Sequence, residues 1–114
     1  MPVMREEQLQ EIVRRITAAF PVRKVMVFGS YAAGDVHDHS DLNLCVVVAG
    51  GESFPEWPSK SWLYRAAEVI RQAASEEVAV DARVFTEKEF QALMDRGHPL
   101  LRLIVEEGTV VYEQ

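Results

Sequence analysis

"VMVFGSYAAGDVHDHSDLNLCVVV" spans Val25 to Val48. Its two ends are apolar and its middle is polar. With the residues just before it, "VRKVMVF" (22–28) is β-branched and apolar without strict alternation, which predicts a central strand covered on both faces. Residues 29–40 carry Gly29, Gly34, Asp35, Asp38, His37 and His39 and predict a loop, with room for a short helical turn at Tyr31–Ala33. "DLNLCVVV" (41–48) predicts a second strand. The strand period of two puts Leu42, Leu44, Val46 and Val48 on one face and Asp41, Asn43, Cys45 and Val47 on the other. Polar groups at the head of such a run are costly unless something engages them.

Outward from this stretch, Leu9, Ile12, Val13, Ile16 and Phe20 recur at helical spacing and predict an amphipathic helix over about 5–19, ended by Pro21. "AGGESFPEWPSKS" (49–61) predicts a long connection. Trp62, Leu63, Ala66, Ala67, Ile70 and Ala74 mark a second helix over about 61–75. "VAVDARVF" (78–85) predicts a third strand, with Val78, Val80, Ala82 and Val84 facing one way and Asp81 and Arg83 the other. Thr86 and Glu89 form a T-x-x-E capping box opening a helix with Phe90, Leu93 and Met94 inward. Gly97 stops that helix. Pro99 suits the first turn of a fourth over 99–107, with Gly108 at its C-terminal cap. "TVVYE" (109–113) predicts a short edge strand. The order α β β α β α α β predicts an α+β fold, a small mixed twisted sheet with helices mainly on one face.

The chain has 114 residues, which fits a single domain over 1–114. Its 48% apolar residues supply a core, and a charged fraction of 26% is ordinary for a soluble protein. A net charge of −6 argues against direct, non-specific nucleic-acid binding. Cys45 is the sole cysteine, so an internal disulfide and a cysteine metal cluster are both excluded; its setting predicts a small buried core residue. "MPVMREEQLQ" does not read as a signal peptide, and no apolar run reaches membrane-spanning length, so a cytoplasmic location is expected.

Asp41 and Asn43 are two apart on one strand and point the same way. If the second and third strands pair, Asp81 joins them on one open sheet face. Clustered carboxylates repel unless cations sit between them. Oxygen ligands of this kind suit Mg²⁺ or Mn²⁺, bound through a few carboxylates plus phosphates and water. Gly29-Ser30 follows directly after a buried strand, where glycine lets backbone approach a ligand and the serine hydroxyl and nearby amides bind phosphate oxygens. Phosphates beside a carboxylate–metal cluster point to phosphoryl or nucleotidyl transfer.

Gly29-Ser30, ten intervening residues, Asp41-Leu42-Asn43 and then Asp81 resemble the motif of the DNA polymerase β nucleotidyltransferase superfamily. The chain looks most like the minimal nucleotidyltransferases, small prokaryotic proteins often paired with a HEPN-domain partner in toxin–antitoxin modules. "VAVDARVFT" resembles that family's third-Asp strand and "HPLLRLIVEEGTVVYE" its usual ending. The resemblance implies the polymerase β-like fold and a two-metal Mg²⁺ site with ATP as donor. It assigns Asp41 to the nucleotide metal, position 43 to a bridge between metals, Asp81 to the second metal and acceptor deprotonation, and Gly29 and Ser30 to the distal phosphates.

Two positions depart from the family pattern. Asn43 stands where a second acid belongs; its carbonyl still ligates a cation but carries no full charge. Ala33 stands where relatives often carry arginine, with Lys60, Arg65 or Arg83 as substitute cations. Two functional classes therefore stand open. One is an antitoxin-like enzyme moving AMP from MgATP to a hydroxyl of a partner protein. The other is a weak or inactive nucleotidyltransferase-fold module that neutralises a HEPN-type helical partner by binding.

Other residues read more plainly. His37 and His39 read as solvated loop histidines, His98 as a helix-start residue, and Arg14, Arg15, Arg71 and Arg102 as solvated helix faces. Trp57 and Trp62 flank a proline-containing loop, with stacking on a base, a partner contact and partial core burial of Trp62 all open. Leu100, Leu103 and Val110 fit either a homodimer contact or the core.

Overall fold

A computed structural model describes residues 6–29, 42–49, 62–73 and 79–114. Within them the order is α1 (Glu6–Ala19), β1 (Val22–Phe28), β2 (Leu42–Val48), α2 (Trp62–Ala73), β3 (Val80–Thr86), α3 (Glu87–Asp95), α4 (Pro99–Glu107) and β4 (Thr109–Glu113). The strands form one sheet in the order β3-β2-β1-β4. β1 is antiparallel to both β2 and β4, whereas β2 and β3 are parallel. This is the mixed α+β sheet that the element order predicts.

Each buried strand separates two cores. On one face Val25, Val27, Leu42, Leu44, Val46, Val48, Ala82 and Val84 pack with Ile12, Val13 and Ile16 of α1 and Ala66, Val69 and Ala73 of α2. On the other, Met26 and Cys45 pack with Leu101 and Ile104 of α4, and Phe85, Phe90, Leu93 and Met94 close around them. The two longer helices thus share one face, as expected of most of the helical mass, while α3 and α4 cover part of the second. Phe85 and Phe90 meet edge to face at 6.2 Å between ring centres, joining β3 to α3. Burial of strand residues on both faces explains why β1 and β2 lack a polar–apolar alternation.

The helix ends show how local chemistry sets the path. Thr86 Oγ1 accepts from the Glu89 N–H at 3.2 Å, and Glu89 Oε1 accepts from the Thr86 N–H at 2.8 Å, completing the capping box. At the far end of α3, Gly97 has φ +68°, its N–H donates to the Met94 carbonyl at 3.0 Å, and the His98 N–H donates to Leu93 at 3.0 Å. These bonds are a Schellman motif, which only a residue tolerant of left-handed backbone closes without strain. His98 is then the N-cap of α4, with Pro99 inside its first turn.

Two expectations change. In α2 Ala67 is exposed, and Val69 and Ala73 take the inward positions instead. Gly108 does cap α4, but with extended backbone (φ −78°, ψ 169°) and not the left-handed cap that glycine usually serves. Close approach is its reason for being glycine. A Cβ there would lie 2.4 Å from the Ile104 carbonyl oxygen and 3.0 Å from that of Val27, so a side chain would wedge α4 off β1. The residues at Ala74, Val78, Tyr31–Ala33 and the 50–61 connection lie outside the described residues. No helix among the described residues is long and apolar enough to cross a membrane.

Candidate functional site

Three strand ends meet at one edge of the second sheet face. Parallel pairing of β2 and β3 makes Asn43 and Asp81 direct register partners. Antiparallel pairing of β1 and β2 puts Phe28 opposite Asn43, so Gly29, the next residue, turns beside it. Strand alternation sends both polar side chains to the face shared by Cys45 and Arg83. Asn43 is half-buried and Asp81 is exposed. Two of the three residues expected to converge therefore do so.

Gly29 has φ +82°. A Cβ built on it would lie 2.6 Å from Asn43 Nδ2 and 3.5 Å from Asn43 Cγ. Glycine is required by the sign of its backbone angle, and a side chain there would also push the end of the Asn43 amide aside. That contact sets the turn beside the end of β2, with Asp81 one strand further away on β3. Ser30 and Asp41 lie outside the described residues, as do Ala33, His37, His39, Trp57 and Lys60. The Trp62 backbone belongs to α2, but its side chain is outside the described set.

The donor chemistry of the described part is a carboxylate and an amide carbonyl side by side. Both are hard oxygen ligands suited to Mg²⁺, a cation that keeps waters and phosphate oxygens in its remaining positions. Among the described residues no group of three or more His, Cys, Asp or Glu is placed to enclose a metal. Asn43 and Asp81 therefore fit part of an open cation site and need further ligands to complete it.

The two described candidates for a substitute cation differ. Arg65 is buried in α2 and donates to Glu89 Oε1 at 2.6 Å, the same oxygen that caps α3. It is a structural tie between α2 and α3. Arg83 pairs in register with Cys45, two residues beyond Asp81 on the same face. Burial pushes the Cys45 thiol up to about 12, against the opposing pull of the Arg83 and Lys24 charges, so this cysteine is an inert core residue as expected. Arg14 pairs with Glu11 and Arg71 with Glu68 on exposed helix faces, and the Arg14 guanidinium holds the Glu11 carboxyl below its usual value. Sequence reading did not foresee the burial of Arg65; the signal was its position one residue before Ala66, on the rim of the apolar stripe.

The chain matches the nucleotidyltransferase domain family over residues 7–112. No curated protein matches it significantly. Among solved structures, a Sulfolobus solfataricus protein assigned as a nucleotidyltransferase is 25% identical and superposes with a TM-score of 0.62, covering 95% of this chain and 79% of that one. A toxin–antitoxin structure with AMP-PNP is 17% identical with a TM-score of 0.63, covering 97% of this chain and 75% of that one.

Proposed function

Since the chain belongs to the nucleotidyltransferase domain family, we propose that its site transfers a nucleotidyl group, AMP from MgATP, to a hydroxyl of a partner protein in an antitoxin-like role. The observation that carries this reading is the register pairing of Asn43 with Asp81 beside the positive-φ turn at Gly29. At the open end of the sheet it lines up a turn suited to phosphate on β1, the Asn43 amide on β2 and the Asp81 carboxylate one strand further on β3. Likeness in fold to a toxin–antitoxin structure with AMP-PNP supports looking for a protein partner and an adenine nucleotide.

In this reading Gly29 and Ser30 hold the distal phosphates. Asp81, Asn43 and Asp41 would hold Mg²⁺, which would supply positive charge against the phosphates. The acceptor oxygen forms a new bond to the α-phosphorus. The bond from that phosphorus to the bridging oxygen breaks, and pyrophosphate leaves with the electron pair. The acceptor proton passes to the Asp81 carboxylate. The partner we expect is a helical protein of the HEPN type.

A second reading rests on Asn43. An amide in place of an acid lowers the negative charge of the site by one and weakens its hold on a dication. The chain then acts by binding its partner, with little or no transfer. Incubation of the chain with α-labelled ATP, Mg²⁺ and the helical partner separates the two. Label on the partner that disappears with Asp81→Ala supports transfer. Absence of label at high protein concentration, with the complex intact by gel filtration, leaves the binding module standing.

A further inference from the structure

The second sheet face holds another feature, two residues further along β3. A cavity of about 440 Å³ opens between β3 and the α3–α4 pair. Its volume is in the range of small-molecule sites. Phe85, Leu93 and Leu100 form its apolar wall; Arg83, Arg96 and His98 form its polar side. Glu89 also borders it, but Glu89 Oε1 already accepts from Arg65 and from the Thr86 N–H. The cavity is therefore richer in cations than in anions, in a chain whose net charge is −6.

The guanidinium of Arg83 sharpens the point. Its Nε is buried and has no hydrogen-bond partner among the described residues. No ion pair within the described residues involves Arg96 or His98 either. An anion in the cavity does not reach this closed-off Nε, but it neutralises the excess charge of the Arg83 and Arg96 side chains that line the cavity.

We propose that this cavity is a binding site for a small organic anion, a carboxylate or phosphate group carried on a planar apolar body. The anionic group lies between Arg83 and Arg96, and the apolar body lies against Phe85 and Leu93. Strand spacing puts Arg83 about 7 Å beyond Asp81 on the same face. The site neighbours the Asn43–Asp81 pair yet uses none of its residues, and it does not depend on nucleotide transfer.

The test is an amide NMR titration of the intact chain with phenyl phosphate, benzoate, inorganic phosphate and benzyl alcohol. We expect saturable shifts at Arg83, Phe85, Leu93 and Leu100 with Kd of about 1 mM or tighter for phenyl phosphate or benzoate, and binding at least about tenfold weaker for inorganic phosphate and benzyl alcohol. The relative strength of the first two tells a phosphate site from a carboxylate site. Arg96→Ala with His98→Ala, both at exposed positions, should weaken binding by about tenfold while leaving the remaining spectrum in place. Arg83→Gln should do the same. Absence of saturable binding by either aromatic anion, equal binding of inorganic phosphate, or unchanged affinity in the variants overturns the proposal. So does competitive displacement of phenyl phosphate by MgATP, which would merge this cavity with the nucleotide site.

Discussion

Asn43 and Asp81 face each other across the parallel pair of β2 and β3, an amide beside a carboxylate at the open end of the sheet. The neutral partner matters because two carboxylates at this spacing repel. Asn43→Asp should destabilise the metal-free chain by about 0.5 kcal/mol, as like charges in direct cross-strand register do. Millimolar Mg²⁺ should then raise the variant's melting temperature more than it raises that of the parent. Equal response to Mg²⁺ in the two proteins would show that position 43 does not contribute to a cation site.

Gly29 bears on the same place from the β1 side. Gly29→Ala should cost about 2 kcal/mol in chemical denaturation, from the left-handed backbone together with the collision against the Asn43 amide. Adding Asn43→Ala should recover the collision share and leave the backbone share. Strict additivity of the two substitutions would deny the contact.

The Arg65–Glu89 tie predicts a graded pair of effects. Glu89→Ala removes the carboxylate that a buried guanidinium donates to, and with it half of the capping box. The loss should be about 2–3 kcal/mol. Glu89→Gln keeps an oxygen for the Thr86 N–H and should cost less. A loss in Glu89→Ala no larger than that of an isolated cap, about 1 kcal/mol, would mean that the ion pair is energetically silent.

Cys45 gives a pH prediction. Its native thiol is raised to about 12, whereas an unfolded cysteine titrates near 8.5. The unfolded chain therefore releases a proton first as pH rises. The stability tied to this group is complete below about pH 8.5 and is lost progressively toward about 12. At pH 8 iodoacetamide should modify the native thiol at least about a hundredfold more slowly than the urea-unfolded one. Comparable rates would place the side chain at the surface.

The sequence was most legible where local chemistry and tertiary demand agree. The bounds of β1 and α4, the Thr86–Glu89 box and the Gly97 stop all follow from residues within a turn or two of the feature. The pairing that joins Asn43 to Asp81 was legible as a condition on strand order, because strand period alone gives each residue its face. Ala67 shows the limit. Alanine is apolar enough to suggest a core position and small enough to leave one without cost, so the phase of α2 was set by Val69 and Ala73 instead. Arg65 shows another, since its burial depends on Glu89 arriving from a different helix. Gly108 was recognisable as a cap, but its extended backbone follows from how closely α4 approaches β1, which no local pattern records.

The mixed direction of the sheet has a kinetic consequence. Gly29 and Asn43 come together through one antiparallel neighbour, whereas Asn43 and Asp81 meet only after the chain has passed through α2 and returned in parallel. Such a crossover closes a long loop and forms slowly compared with local contacts. A nascent chain that has emerged as far as β2 thus carries the turn and the amide without their carboxylate partner. If the proposed site binds its nucleotide, ligand capture at this edge would report that β3 has docked, and a ligand present during refolding should stabilise the finished sheet without hastening its first steps.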